Sequence, residues 1–77
     1  MLDPRLVEIF CRNFSLEPSQ VGPETGTDTV PAWDSVAHLR LVLDLEEVFS
    51  VRFPTPEIPR LTSAGHIQSA LQRLDAL

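Results

Sequence analysis

Serine 35 has the most suggestive setting among the few side chains of this chain that are able to do chemistry. It follows Trp33 and Asp34, at the point where a stretch rich in proline and glycine gives way to residues with helical periodicity. A serine or aspartate at such a junction can cap the helix by accepting a hydrogen bond from its first turn. The serine hydroxyl can also be a point at which a group is attached and presented to another protein. The local residues leave both interpretations open.

The other reactive side chains, a cysteine and two histidines, do not form a predicted catalytic or metal site. Cys11 is the only cysteine, so the chain can form neither an internal disulfide nor a cysteine-based metal cluster, and on a helix face it is expected to act as a small hydrophobe. His38 and His66 lack metal-ligand spacing. The helical wheel turns His38 towards the core and away from Ser35, and His66 is expected on the surface. No glycine-rich phosphate loop and no Gly-x-Ser-x-Gly motif occurs.

Composition and charge predict one soluble domain over residues 1–77. Hydrophobic residues make up 43% of the chain and charged residues 22%, which is ordinary for a globular protein. The chain has eleven acidic residues and six basic ones, all of them arginine. Its net charge of -5 argues against nucleic-acid binding. No apolar segment resembles a secretory leader or a membrane span. We therefore expect a cytoplasmic monomer with no membrane association.

The periodicity predicts two helices joined by a long loop in the first part of the chain. Asp3 as N-cap and Pro4 as first residue begin a helix over about residues 3–14. Prolines and glycines break the pattern over residues 15–33, where Trp33 is expected to anchor the loop. The second helix is predicted over about residues 35–49.

This second helix carries apolar residues on two sides. Steps of 100° place its core face at Leu41, Val42, Leu45, Val48 and Phe49. A narrower apolar stripe lies almost opposite, at Val36, Leu39 and Leu43, with Arg40, Asp44 and Glu47 beside it. The stripe is either covered by the long loop or exposed as a surface for a partner. The pattern favours neither alternative.

The last part of the chain predicts a short helix and a third principal helix. Thr55 is expected to cap a short turn through Glu57 and Ile58, with Pro56 at its first position. Thr62 or Ser63 is expected to cap a helix that runs to about residue 76. With no convincing strand, the predicted fold is an all-α bundle of three main helices and one short helix, with a long loop between the first two.

The segment from Trp33 to Phe49 resembles acyl carrier proteins at their Asp-Ser-Leu attachment motif and the helix that follows it. The similarity continues through Val51-Arg52-Phe53 and residues 61–71, and the helix order and loop lengths match, so nearly the whole chain is covered. The tripeptide alone is a weak signal. Its position at a loop–helix junction, before Leu45-Glu46-Glu47-Val48-Phe49 in a small acidic chain, makes it specific.

The resemblance implies a four-helix acyl-carrier-type bundle in which Ser35, next to Asp34, bears 4′-phosphopantetheine. A phosphopantetheinyl transferase would supply this arm from coenzyme A, and the arm would hold acyl groups as thioesters. The chain would be a carrier and not an enzyme, serving an acyltransferase, a ketosynthase or a ligase. The expected partner surface consists of Val36, Leu39, Arg40, Leu43 and Glu47.

The Trp33-Asp34-Ser35 opening and the arginine-only composition resemble discrete carriers of polyketide or related secondary metabolism. Val36 replaces the usual leucine, and Ala37 and Arg40 stand where carriers of primary fatty-acid synthesis tend to be acidic. Arg40 either selects a partner or only pairs with Asp44, four residues on. Two alternatives stay open: a carrier of a single aminoacyl or glyceryl unit, and a non-covalent helical interaction module in which Ser35 is only a cap.

Overall fold

The computed structural model describes residues 2–77, and all their regular structure is helical. The α-helices are α1 (Pro4–Phe14), α2 (Ser35–Phe49) and α3 (Ala64–Arg73). Two 3₁₀ helices accompany them: a three-residue turn at Pro18–Gln20, and Thr55–Arg60, called the short helix below. Across residues 2–77 there is no strand, and one isolated backbone bridge pairs Gly26 with Ser63. The predicted all-α class, with three main helices and a short one, is confirmed.

Helix α1 begins and ends as its local residues dictate. The Asp3 carboxylate accepts a hydrogen bond from the Arg5 amide at 2.9 Å, and Pro4 fills the first helical position. The Arg5 guanidinium also hydrogen-bonds this carboxylate and lowers the pKa of Asp3 below its ordinary value. Ser15 closes the helix in the left-handed conformation, with φ 54°.

The core lies between the three α-helices and is closed by residues of the loops. Helix α1 contributes Leu6, Ile9, Phe10 and Phe14, and α2 contributes Leu41, Val42, Leu45 and Phe49. Helix α3 adds Ala64, Ile67, Ala70 and Leu71, and the loops add Val30, Trp33, Phe53 and Leu61. Trp33 is only 5% exposed and packs against two α1 rings, Phe10 at 5.4 Å and Phe14 at 5.3 Å between centroids. It anchors the end of the long loop, as predicted.

The middle of the long loop is bound to the start of α3. Backbone carbonyls of Thr25 and Pro23 accept hydrogen bonds from the Ala64 and Gly65 amides at 2.8 and 2.9 Å. Gly26 follows Thr25, and a Cβ added there would stand 2.7 Å from the Thr62 carbonyl oxygen. Only a residue without a side chain fits that approach without a shift of the backbone. The loop is therefore an ordered part of the fold.

Predicted details at Val48, in the short helix and at the end of α3 were wrong. Val48 lies at the edge of the predicted core arc and is 40% exposed, because the neighbouring elements cover the centre of that arc and not its margin. The short helix is capped by Pro54 without a side-chain bond, begins at Thr55 and continues to Arg60. Its second and fifth residues are prolines, and the tighter 3₁₀ geometry holds it together.

Helix α3 ends at Arg73 and not near residue 76. Asp75 adopts a left-handed conformation, φ 57°, and its amide and that of Ala76 donate to the carbonyls of Gln72 and Leu71. This pair of bonds is the Schellman arrangement that terminates helices. None of the helices within residues 2–77 is long and apolar enough to cross a membrane.

Candidate functional site

The start of α2 is capped by Asp34. Its backbone is extended, its Oδ1 accepts a hydrogen bond from the Ala37 amide at 2.9 Å, and its carbonyl accepts the His38 amide at 2.8 Å. Both bonds are those of an N-cap residue, and an aspartate is among the best side chains for this position. The capping task that the sequence left open between Asp34 and Ser35 therefore falls to Asp34.

Ser35 is the first residue of α2, and its side chain is exposed. Within residues 2–77 its hydroxyl has no hydrogen-bond partner. The backbone amides of Ser35 and Val36 are also without an acceptor in the described chain, as expected for the first turn of a helix. A free hydroxyl and two free N–H groups thus occur together at the positive end of the α2 dipole.

His38 is half-buried, as its predicted position on the wheel indicated, and both its ring nitrogens are engaged. Nδ1 lies 2.9 Å from the Trp33 indole nitrogen, and Nε2 lies 2.8 Å from the Ile58 carbonyl oxygen. The indole can only donate and the carbonyl can only accept. The ring is therefore bonded through an acceptor Nδ1 and a protonated Nε2, and it makes no bond to Ser35.

A groove of about 530 Å³ opens beside Ser35, between the long loop, the first turns of α2 and the short helix. Its walls are mostly apolar. The lining residues are Thr27, Trp33, Asp34, Ser35, His38, Leu39, Ile58, Pro59 and Thr62. Sequence analysis missed the contributions of Thr27, Ile58, Pro59 and Thr62, because they come from segments distant in sequence and carry no motif.

The apolar stripe opposite the core face is exposed. Val36 and Leu39 are each 59% exposed and Leu43 is 65% exposed, so the long loop does not cover them. These three residues, called the outward stripe, run from the residue after Ser35 along α2. Arg40 and Glu47 lie beside them and are exposed as well. Exposed apolar groups with charged neighbours form the kind of surface that proteins use for binding.

Of the three charged residues predicted beside this stripe, Asp44 lies elsewhere. Asp44 turns towards α1, where it accepts from the Asn13 side chain at 2.8 Å and pairs with Arg12 at 3.4 Å. The alternative that Arg40 pairs with Asp44 is therefore wrong. Throughout residues 2–77 Arg40 has no ion-pair partner, which leaves its guanidinium available in solvent.

The remaining candidate residues lie elsewhere. His66 is exposed on the first turn of α3, with Nδ1 3.1 Å from the Ser63 hydroxyl. Cys11 is half-buried on α1 beside Val7 and Leu2. In the part of the chain that the structure describes, no three His, Cys, Asp or Glu residues are grouped closely enough to hold a metal ion.

No protein-family model matches this chain, and no curated protein matches it. The start of α2 offers an exposed nucleophilic hydroxyl, unpaired amides that favour an anion, an adjoining groove and an apolar stripe on the same helix.

Proposed function

We propose that this chain is an acyl carrier protein that bears a 4′-phosphopantetheine arm on Ser35. The observation that carries the proposal is that the start of α2 is capped by Asp34 and not by Ser35. Asp34 makes the capping bond, and the Ser35 hydroxyl is exposed without a partner within residues 2–77. A serine that served only as a cap would have its oxygen bonded to a first-turn amide.

The site suits the attachment of a phosphate-linked arm. The Ser35 hydroxyl would attack the β-phosphorus of coenzyme A in the active site of a phosphopantetheinyl transferase, releasing adenosine 3′,5′-bisphosphate. The hydroxyl proton would leave to a base of that enzyme, and a phosphodiester would join Ser35 to the arm. The unpaired amides of Ser35 and Val36 and the positive end of the helix dipole favour the negative charge that this places at the helix end.

The outward stripe gives the carrier a surface for its partner enzymes. The arm would hold the acyl group as a thioester, and the chain itself would do no further chemistry. Docking through Val36, Leu39 and Leu43 would deliver the tethered group to an acyltransferase, a ketosynthase or a ligase at a high local concentration. Arg40 and Glu47 would set which partners fit, since charge placement governs specificity and association rate.

The unpaired Arg40 supports a pathway other than primary fatty-acid synthesis. A cation at this exposed position would repel the basic surfaces of enzymes that bind acidic carriers. We infer a discrete cytoplasmic carrier of polyketide or related secondary-metabolite synthesis, and a carrier of a single aminoacyl or glyceryl unit is the second candidate of the same class.

The test is loading by a promiscuous phosphopantetheinyl transferase with coenzyme A and Mg²⁺, followed by intact mass measurement. The wild-type protein should gain one phosphopantetheine unit. Ser35→Ala should gain none, and Ser63→Ala, which alters the serine at the start of α3, should gain one unit as the wild type does. A folded wild-type protein whose mass never changes would contradict the proposal.

A non-covalent interaction module is the candidate function from another class. The outward stripe favours it as well, because exposed apolar residues can bind a partner without any arm. If the wild-type protein is never loaded but Leu39→Ala and Leu43→Ala abolish partner binding, this second function is the correct one.

A further inference from the structure

The imidazole of His38 joins three segments of the chain. Its Nδ1 accepts from the Trp33 indole at the end of the long loop, and its Nε2 donates to the Ile58 carbonyl in the short helix. The ring also stacks on Trp33, with 6.0 Å between centroids and 22° between planes. His38 itself belongs to the first turn of α2. One side chain therefore fixes the loop, α2 and the short helix relative to one another.

The short helix needs such a contact because it has little support of its own. Pro59 lies inside this six-residue segment and lacks a backbone donor, which removes one of its few hydrogen bonds. The Ile58 carbonyl accepts both the Leu61 amide at 3.2 Å and His38 Nε2 at 2.8 Å. On its other side, Glu57 pairs with Arg73 of α3 at the surface.

The hydrogen bond between His38 and Ile58 matters for Ser35 because Ile58 and Pro59 line the same groove as Ser35. We propose that His38 is a positioning residue for reactions at Ser35: its hydrogen bond to Ile58 holds the short helix in place beside the attachment serine. This inference rests on the proposed carrier function. A transferase that docks over Ser35 meets the short helix across the groove, so a displaced wall presents it with a different surface.

The chemistry of histidine suits this role. It presents an acceptor and a donor on opposite sides of one rigid ring, which match the indole donor and the carbonyl acceptor. Leucine fills a similar volume and offers neither, so it would leave the indole N–H of Trp33 unpaired inside the protein. The single substitution therefore weakens the fold as well as the short helix.

The experiment separates these two effects with three variants. His38→Leu removes both hydrogen bonds. His38→Leu combined with Trp33→Phe also removes the indole donor, so that no buried donor is left unpaired. His66→Leu alters the exposed histidine of α3 and is the matched control. For each folded protein, amide exchange of Ile58, Arg60 and Leu61 is compared with that of α3, and the transferase is assayed for KM and kcat with the carrier as varied substrate.

In the wild-type protein, nitrogen-15 shifts should show His38 with its proton on Nε2. In both His38→Leu proteins the short-helix amides should exchange roughly five- to tenfold faster relative to the α3 amides of the same protein, as the loss of one hydrogen bond predicts. Taking α3 as the internal reference removes any global loss of stability, including the loss from the core substitution Trp33→Phe. The KM for the carrier should rise about threefold or more with kcat nearly unchanged, since fewer molecules present the competent surface. His66→Leu should behave as the wild type.

Each other outcome is decisive. A proton on Nδ1, or unchanged exchange in the double variant, overturns the inference. Faster exchange with unchanged KM also overturns it, because the short helix would then be irrelevant to Ser35. Wild-type protein that is never loaded refutes the carrier function and this inference together, whereas a loaded wild type with unaffected variants refutes the inference alone.

Discussion

At the start of α3 each of the first three backbone amides has an acceptor, whereas at the start of α2 only the third has one. The Ala64 and Gly65 amides donate to carbonyls of the long loop, and the His66 amide donates to the Ser63 hydroxyl. At α2 the Ala37 amide donates to Asp34, and the two amides before it have no acceptor within residues 2–77. The serine at α3 is used by the fold, and the serine at α2 is not.

The same contrast continues along the two helices. The apolar residues Ala64, Ile67, Ala70 and Leu71 of α3 are all buried, and its other residues are polar or small. Helix α2 buries a comparable set and exposes the outward stripe on its other side. Folding accounts for every apolar residue of α3, whereas α2 leaves the three residues of the outward stripe largely exposed and Val48 partly exposed. A helix with spare apolar residues next to a spare hydroxyl is a candidate for binding and modification.

The largest expected effect tests the two faces of α2. Leu45 is fully buried, so Leu45→Ala should lower the free energy of unfolding by about 2–5 kcal/mol, which combines lost transfer energy and a cavity. Leu43 is 65% exposed, and Leu43→Ala should change the free energy of unfolding by less than about 0.5 kcal/mol. Urea denaturation measures both. Equal losses would mean that the outward stripe belongs to the core.

The second largest effect is expected where the long loop packs closely against the residues before α3. A Cβ at Gly26 would stand 2.7 Å from the Thr62 carbonyl oxygen, so Gly26→Ala should cost about 1–3 kcal/mol of unfolding free energy. Gly22→Ala is the matched control, because its Cβ would meet only the flexible end of the Glu24 side chain. Thermal unfolding of the two variants makes the comparison. A tolerated Gly26→Ala would show that the loop is not held closely against α3.

The two serines give the most direct comparison of the helix starts. Ser63→Ala removes a cap and should cost roughly 1 kcal/mol, within the usual range of about 0.5–2 kcal/mol. Ser35→Ala removes a hydroxyl without a partner in residues 2–77 and should stay within about 0.5 kcal/mol of the wild type. Chemical denaturation of both variants under one set of conditions measures the difference. If Ser35→Ala proved the more costly, Ser35 would be structural after all.

The smallest expected effect concerns the charge beside the outward stripe. Arg40→Glu should leave stability nearly unchanged, since Arg40 has no ion-pair partner in the described chain. The substitution should raise the rates of loading or transfer by enzymes of fatty-acid synthesis and lower those rates with the native partner. Both effects should be smaller at high salt. Rates at two salt concentrations with both enzyme sets measure this. Identical relative rates would show that Arg40 has no part in selectivity.

Much of this architecture was open to prediction because it depends on local chemistry. Asp3 with Pro4, and Ser63 before an apolar repeat, mark helix starts through bonds to residues two or three positions away. The two apolar arcs of α2 follow from its 100° periodicity, and so does the placement of His38 towards the interior. Val48 was misplaced because periodicity gives the direction of a side chain but not what covers it.

Three features could be predicted from the residues alone: the helices, the position of Ser35 at a helix start, and the second apolar stripe on α2. Those features arise from residues within one or two turns of each other. Three others became visible only in the folded chain: Asp34 and not Ser35 is the bonded cap, the long loop binds α3 instead of covering the stripe, and His38 bonds to Ile58, twenty residues away. Contacts between distant segments depend on how every helix packs at once, and no local pattern encodes them.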